Sequence, residues 1–122
     1  MKLSPNDLEI ALSQFTGTQR YCRLLPTFVV TDGVKYLMDQ ADCYWLAQLY
    51  GLHLIDIDFN DNAFTVLNLV RKGKGAKVTI EDGNGTVLSW QVIDWTDFPL
   101  DKVTLFGSWA GEFWVAMLPS EY

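Results

Sequence analysis

The spacing of apolar residues changes once along this chain of 122 residues, from a helical period to a strand period. In the segments 8–15 and 34–50 the apolar residues recur every three or four positions, as they do along the buried side of a helix. After Gly51 they alternate with polar residues, which is typical of strands buried on one side. Because helices precede strands without strand–helix–strand alternation, the order predicts a single α+β domain spanning residues 1–122.

The segment "SPNDLEIALSQF" predicts a short amphipathic helix near the start of the chain. Ser4 is a suitable N-cap, and Pro5 suits the first helical position. The helix should end near Gly17. Its apolar side is formed by Leu8, Ala11, Leu12 and Phe15.

A second helical pattern follows the Thr31-Asp32-Gly33 junction and covers Val34 to Tyr50. It predicts either one helix or two helices separated at Asp42–Cys43, with Gly51 as the C-terminal stop. The junction could bind an anion at the helix N-terminus. We favour simple capping there, because the charge of Asp32 stabilises the helix dipole and competes with any anionic ligand.

The remaining segments predict strands. Phe28–Thr31 is β-branched and follows a proline, and "HLIDIDF" alternates Ile55, Ile57 and Phe59 with aspartates. The segment 63–93 reads as three strands joined by a basic turn and by "EDGNGT", a hairpin signal. "KVTLFGSW" and "FWVAMLP" add two more. We therefore predict two layers, with N-terminal helices packed on one face of a four- to six-stranded antiparallel meander sheet and the other face partly open.

The chain is acidic, with a formal net charge of −6. Four of its nine basic residues lie in the single segment "RKGKGAK", so the rest is strongly anionic. Such a charge disfavours direct binding of DNA or RNA and suits a basic partner. The first residues lack the apolar core of a signal peptide, and no apolar run reaches membrane-spanning length, so we expect a cytoplasmic protein without membrane contact.

Asp56, Asp58 and Asp61 form an acidic run that invites comparison with a calcium-binding loop. The comparison fails, because the loop glycine is replaced by Asp61 and the bidentate glutamate by Leu67. We expect a solvated acidic strip that could contact a partner, with no bound metal. A loose divalent site remains the alternative.

Chemistry-bearing motifs are scarce in this sequence. There is no glycine-rich nucleotide-binding pattern, no nucleophile elbow and only one histidine, His53. Cys22 and Cys43 are expected to be free thiols. We predict a protein that is not an enzyme and binds no cofactor, with His53 in a structural role.

The basic turn and the tryptophans are candidate contact sites. Lys72, Lys74 and Lys77 could contact phosphates or an acidic surface, or could be an ordinary solvated turn. Trp90 and Trp114 lie in strands whose two faces both look apolar, and helices can cover only one face. An aromatic face left open would be a surface for protein binding or self-association.

The segments "FTGTQRY", "TDGVKYL", "YWL", "TDFPL" and "LPSEY" resemble a small bacterial family of proteins with a domain of unknown function, in the same order from Leu12 to Tyr122. The family occurs largely on plasmids, phages and other mobile DNA, and it supplies no catalytic residues to carry over. The chain differs from it in "GLHLIDIDFND" and "KGKGAK".

The resemblance implies a small accessory protein, and three functions stay open. The preferred one is a protein-interaction module or modulator, which could inhibit a basic or nucleic-acid-binding target by presenting an acidic surface. A small-molecule-binding domain or enzyme with an unrecognised pocket is the second. A homodimer without ligand, formed by pairing open sheet faces or edges, is the third.

Overall fold

Three α-helices and a seven-stranded sheet make up the computed structural model, which describes residues 4–16 and 20–122. The helices are α1 (Pro5–Ser13), α2 (Asp32–Ala41) and α3 (Tyr44–Ile55), and a 3₁₀ turn covers Pro119–Glu121. The strands are β1 (Tyr21–Leu25), β2 (Phe28–Thr31), β3 (Phe64–Lys72), β4 (Gly75–Glu81), β5 (Val87–Ile93), β6 (Lys102–Trp109) and β7 (Trp114–Met117). The α+β class predicted from the sequence is confirmed.

The sheet is mixed, in the order β1-β2-β7-β6-β3-β4-β5. All neighbours are antiparallel except β2 and β7, which pair in parallel through Phe28–Trp114, Val29–Val115 and Val30–Ala116. The prediction of a four- to six-stranded, wholly antiparallel sheet is therefore wrong in its details. It missed β1 and the parallel pair, because hydrophobic spacing identifies strands without identifying distant neighbours.

Local signals place the first two helices where the sequence predicts them. Ser4 accepts a hydrogen bond from the Asp7 main-chain N–H at 3.2 Å and caps α1. This helix ends at Ser13, and the predicted end at Gly17 lies outside the described residues. The Val34–Tyr50 pattern is two helices, with Asp42 in the left-handed conformation (φ 50°) between them.

The segment after Tyr50 differs from the prediction. The helix α3 continues through Gly51 to Ile55, so "HLIDIDF" is not a strand. Leu54, which is out of step with a strand, is in step with Leu46, Ala47 and Tyr50 on the buried side of the helix. Gly51 is therefore not a stop. A Cβ there would lie 2.7 Å from Phe28 Cδ2, so the glycine allows close packing of α3 on β2.

The three-stranded meander is confirmed as β3, β4 and β5. The "EDGNGT" turn uses Gly83 (φ 86°) and Gly85 (φ 96°), and Asp82 Oδ1 accepts the main-chain N–H groups of Asn84 and Thr86. Positive φ angles are accessible to glycine at little steric cost, which explains why this sequence forms a hairpin.

Tyr50 connects α3 to the centre of the sheet. Its hydroxyl lies 2.7 Å from Thr65 Oγ1, and a Cβ at Gly107 would come within 2.5 Å of the same oxygen. Burial raises the pKa of Tyr50 well above that of a free tyrosine, an effect that the hydrogen bond with Thr65 partly offsets. The side chain therefore stays neutral and hydrogen-bonded inside the core.

We predict that Tyr50→Phe lowers the free energy of unfolding by about 1 kcal/mol at neutral pH, because the buried hydrogen bond is lost. The raised pKa means that the contribution of the hydroxyl is complete below the unfolded-state pKa of about 10 and declines as the pH rises above it. The difference in the free energy of unfolding between the wild type and the variant should therefore decrease at alkaline pH. Urea unfolding at several pH values measures both effects.

The control for this substitution is Tyr21→Phe, which removes a hydroxyl from an exposed side chain and should change stability by less than about 0.5 kcal/mol. Equal unfolding midpoints for the Tyr50 and Tyr21 variants would contradict the role assigned to Tyr50.

Candidate functional site

One side of β6, β3, β4 and β5 faces away from the helices, and we call it the open face. Strand register places Val66 between Phe106 and Glu81, and Thr79 between Asn68 and Trp90, on this side. The neighbouring residues Leu67, Leu69, Val78 and Ile80 point into the core under the helices. The prediction that helices would cover one face and leave the other partly open agrees with this arrangement.

Three aromatic rings form a cluster at one end of the open face. Phe64, Phe106 and Tyr122 contact one another with ring centroids 5.2 to 5.6 Å apart. Phe64 and Phe106 are half-buried, and Tyr122 is 77% exposed. We call these three residues the aromatic cluster. Residue spacing carries no signal for this cluster, because the terminal Tyr122 reaches β3 and β6 only through the path of the last strand.

A second apolar patch lies on β5 at the other side of the open face. It consists of Val87, Trp90 and Val92, and Trp90 is 61% exposed. The ammonium of Lys77 lies 5.5 Å from the centre of the Trp90 ring, within the range of a cation–π contact. The exposure predicted for Trp90 is confirmed. Trp114 is only 3% exposed, so the same expectation is wrong for it, because β7 is an interior strand under the helices.

The three lysines of the predicted basic turn do not all lie together in the structure. Lys72 and Lys74 flank Gly73 in the β3–β4 turn and are exposed, while Lys77 lies on the open face beside Trp90. Arg71 holds the turn, since its guanidinium donates to the carbonyl oxygens of Gly73, Gly75 and Phe98. Lys77 and Trp90 are thus the two predicted contact residues that the structure brings together.

The predicted acidic strip is a turn after α3 and not the face of a strand. Asp58 Oδ1 accepts the main-chain N–H of Asn60, and the Asp58 carbonyl accepts the N–H groups of Asp61 and Asn62. Asp56 ends α3. All three aspartates are exposed, but only Asp56 and Asp58 line a neighbouring cleft.

That cleft has a volume of about 430 Å³. Its floor is aromatic, because Phe59 stacks on Trp109 with ring centres 4.1 Å apart and Trp109 contacts Trp114 edge-on. Asp56 and Asp58 supply the carboxylates at its margin. Trp114 therefore contributes to the base of a cleft, a placement that strand periodicity could not predict.

The N-terminus of α2 already holds an anion, the side chain of Glu121. Its carboxylate accepts hydrogen bonds from the Thr31 hydroxyl at 2.6 Å, the Gly33 N–H at 3.2 Å and the Leu118 N–H at 3.0 Å. Thr31 Oγ1 in turn accepts the N–H of Val34 and caps the helix. Capping is thus confirmed, with Thr31 as the N-cap and Asp32 as the first helical residue. Local sequence patterns could not predict the contact of Glu121 with this helix, because the two are distant in the chain.

His53 connects α3 to β5. Its Nδ1 lies 2.5 Å from Ser89 Oγ, and its Nε2 lies 3.1 Å from Gln91 Oε1. Both ring nitrogens are therefore bonded to side chains of one strand, on the side covered by the helix. Among the described residues, Cys22 and Cys43 form no disulfide, and the buried Cys43 places its Sγ 3.7 Å from the carbonyl oxygen of Leu37.

Comparison with known proteins gives a family and a solved structure. The model of "Family of unknown function (DUF6876)" matches residues 6–122. None of the curated proteins matches this chain. A structure described as "Crystal structure of the protein of unknown function from Enterococcus faecalis" is similar, with a TM-score of 0.51 and 18% identity over 80% of this chain and 91% of that chain. At this identity the similarity shows a shared fold alone.

We predict that Glu121→Ala lowers the free energy of unfolding by about 1–3 kcal/mol, because it leaves the Thr31, Gly33 and Leu118 donors without this acceptor. Glu121→Gln keeps the shape and one acceptor oxygen, so its loss should be intermediate. Thermal or urea unfolding measures both. The matched control is Glu112→Ala at an exposed turn, and an equal effect of Glu112→Ala and Glu121→Ala would contradict the assignment.

Proposed function

Because this chain belongs to a family of unknown function (DUF6876), its role has to be inferred from its surface, and we propose that it is a non-enzymatic protein-interaction module that binds through the open face. The resemblance to a family of unknown function read from the sequence is confirmed by the match over residues 6–122. None of the helices formed by the described residues has the length and apolar character needed to span a membrane.

The single observation that carries this proposal is the exposed apolar surface on the open face. Soluble monomers rarely expose large contiguous apolar patches, and a patch with aromatic residues at its centre and polar residues at its rim is typical of a protein-binding surface. Tyr122, Phe64 and Phe106 provide such aromatic residues at one end of the open face. Asn68, Thr104 and Glu81 provide polar neighbours on the same face.

The net charge supports a basic protein as the partner. A charge of −6 raises the encounter rate with a cationic surface and opposes binding to nucleic acid. A target that itself binds nucleic acid meets this description. Inhibition of such a target would suit a protein carried on accessory DNA, as the family resemblance implies.

We predict that a tagged form of the protein retains a protein partner from a lysate of the cells that encode it, with or without nuclease treatment. The double variant Phe106→Thr/Tyr122→Ala should reduce this retention on the order of tenfold, because aromatic side chains at the centre of an interface contribute most of the binding energy. Quantitative mass spectrometry of the retained proteins measures the change.

The matched control is Leu52→Glu, which alters a residue 58% exposed on α3, on the helical side of the molecule. It should leave retention unchanged. Equal retention by the wild type and the double variant would overturn the proposal, provided that circular dichroism shows both to be folded. Loss of the partner after nuclease treatment would instead indicate contact through nucleic acid.

A second candidate function is the binding of a small organic cation in the cleft beside Asp56 and Asp58. The volume of about 430 Å³ is within the range of small-ligand sites, and the stacked rings of Phe59 and Trp109 suit a cationic group. This candidate corresponds to the small-molecule alternative drawn from the sequence, for which we propose this cleft. An enzyme acting on such a ligand would use the same cleft.

Binding in the cleft should quench or shift tryptophan fluorescence, because Trp109 and Trp114 both line it. We predict saturable titration with butylguanidinium or tetramethylammonium, and weaker binding on the order of tenfold in Asp56→Asn/Asp58→Asn. Asp61→Asn is the control, since Asp61 belongs to the same turn without lining the cleft. A linear response to both cations would exclude this candidate.

A further inference from the structure

The strand β5 is one edge of the sheet, and it has the features of a strand that pairs with another chain. It is the last strand in the order β1-β2-β7-β6-β3-β4-β5 and pairs with β4 on one side only. Among the described residues, no main-chain N–H or C=O group of β5 forms a backbone hydrogen bond with a segment other than β4. An exposed edge with unpaired N–H and C=O groups is a template for strand addition.

Charge and short length, two of the usual protections of a sheet edge, are missing from β5 and present at the opposite edge. The sequence of β5, "VLSWQVI", contains no charged residue, proline or glycine over seven residues. By contrast, β1 has only five residues and carries Arg23. A register irregularity occurs in both edge strands, between Arg23 and Leu25 in β1 and at Leu88 in β5. Charges, short length and bulges are the devices that prevent edge pairing. The regular, uncharged segment 89–93 of β5 is thus the less protected of the two edges.

We propose that β5 pairs antiparallel with β5 of a second copy of this chain, about a twofold axis close to Trp90. Residues two apart lie on the same side of a strand, so Trp90 and Val92 of both copies would form one apolar row on the open face. Paired sheets would then present two aromatic clusters on one continuous surface. The inference deepens the proposed function and rests on it for the role of that surface.

Charge favours a second copy of this chain over other partners for the exposed edge of β5. Most surfaces of a chain with net charge −6 repel their own copy, whereas a strand without charged residues pairs with itself without placing like charges opposite each other. On the other side of the strand, Ser89 Oγ and Gln91 Oε1 are each hydrogen-bonded to a ring nitrogen of His53. Lys77, the nearest cation, lies over the Trp90 ring.

The test introduces a positive or a negative charge at Trp90, which is exposed and so tolerates substitution. The wild type should behave as a dimer that dissociates on dilution, measured by light scattering and analytical ultracentrifugation. Trp90→Lys and Trp90→Glu should each raise the dissociation constant on the order of tenfold or more. An equimolar mixture of the two variants should form a heterodimer, because opposite charges then face each other across the axis.

The matched control is Ile10→Glu, which adds a charge at a residue 54% exposed on α1 and should leave the dimer unchanged. A wild type that is monomeric at all concentrations would overturn the inference, and so would a dimer that persists in both Trp90 variants. Failure of the mixture to associate would also overturn it.

The two proposals can fail separately, because they use different residues. The Phe106→Thr/Tyr122→Ala variant should still dimerise. A partner retained by a monomeric wild type would overturn the β5 pairing alone, and an intact dimer that retains no partner would overturn the interaction module alone.

Discussion

The parallel pairing of β2 with β7 is the interaction on which the rest of the structure depends. It joins the hairpin β1–β2 to the C-terminal strands, and an isolated two-stranded hairpin is marginally stable at best in water. The same contact gives α2 and α3 a sheet to pack on, through the buried residues Phe28, Val30 and Trp114. Glu121 secures it with a hydrogen bond to Thr31, a residue 90 positions away in the sequence. Because such contacts close a long loop, the fold should form more slowly than a helical bundle of this size.

Elements specified by local chemistry could be predicted from the sequence. The Ser4 cap and the glycine turn after Asp82 each depend on residues within a few positions of one another, whereas the break at Asp42–Cys43 was left open as one of two alternatives. The alternation of apolar and polar residues along β3 and β4 could also be predicted locally, since one side of each strand is buried under the helices. The α+β class followed from these elements, and the exposure of Trp90 followed from the idea that helices cover only one face.

Elements that depend on distant partners could not be predicted. The helix α3 runs through Gly51 because Phe28 packs against that position, and Trp114 is buried because β2 completes the sheet beside it. Both predictions were wrong because local sequence spacing does not show which distant residues pack against Gly51 or beside Trp114. The aromatic cluster was missed for the same reason, since Tyr122 meets Phe64 and Phe106 only after the last strand has crossed the sheet.

The separation of charge from apolar surface explains how one small domain can be both soluble and able to bind. Many acidic side chains lie in turns and loops, as at Asp58, Asp82 and Asp97, while the strands of the open face carry mainly apolar and neutral residues around Lys77 and Glu81. Long-range attraction of a basic partner would therefore arise mainly at the turns and loops, and desolvation would occur at the aromatic cluster, which itself contains no carboxylate. An acidic centre would have reversed this advantage, because burying unpaired carboxylates costs more than the apolar contact contributes.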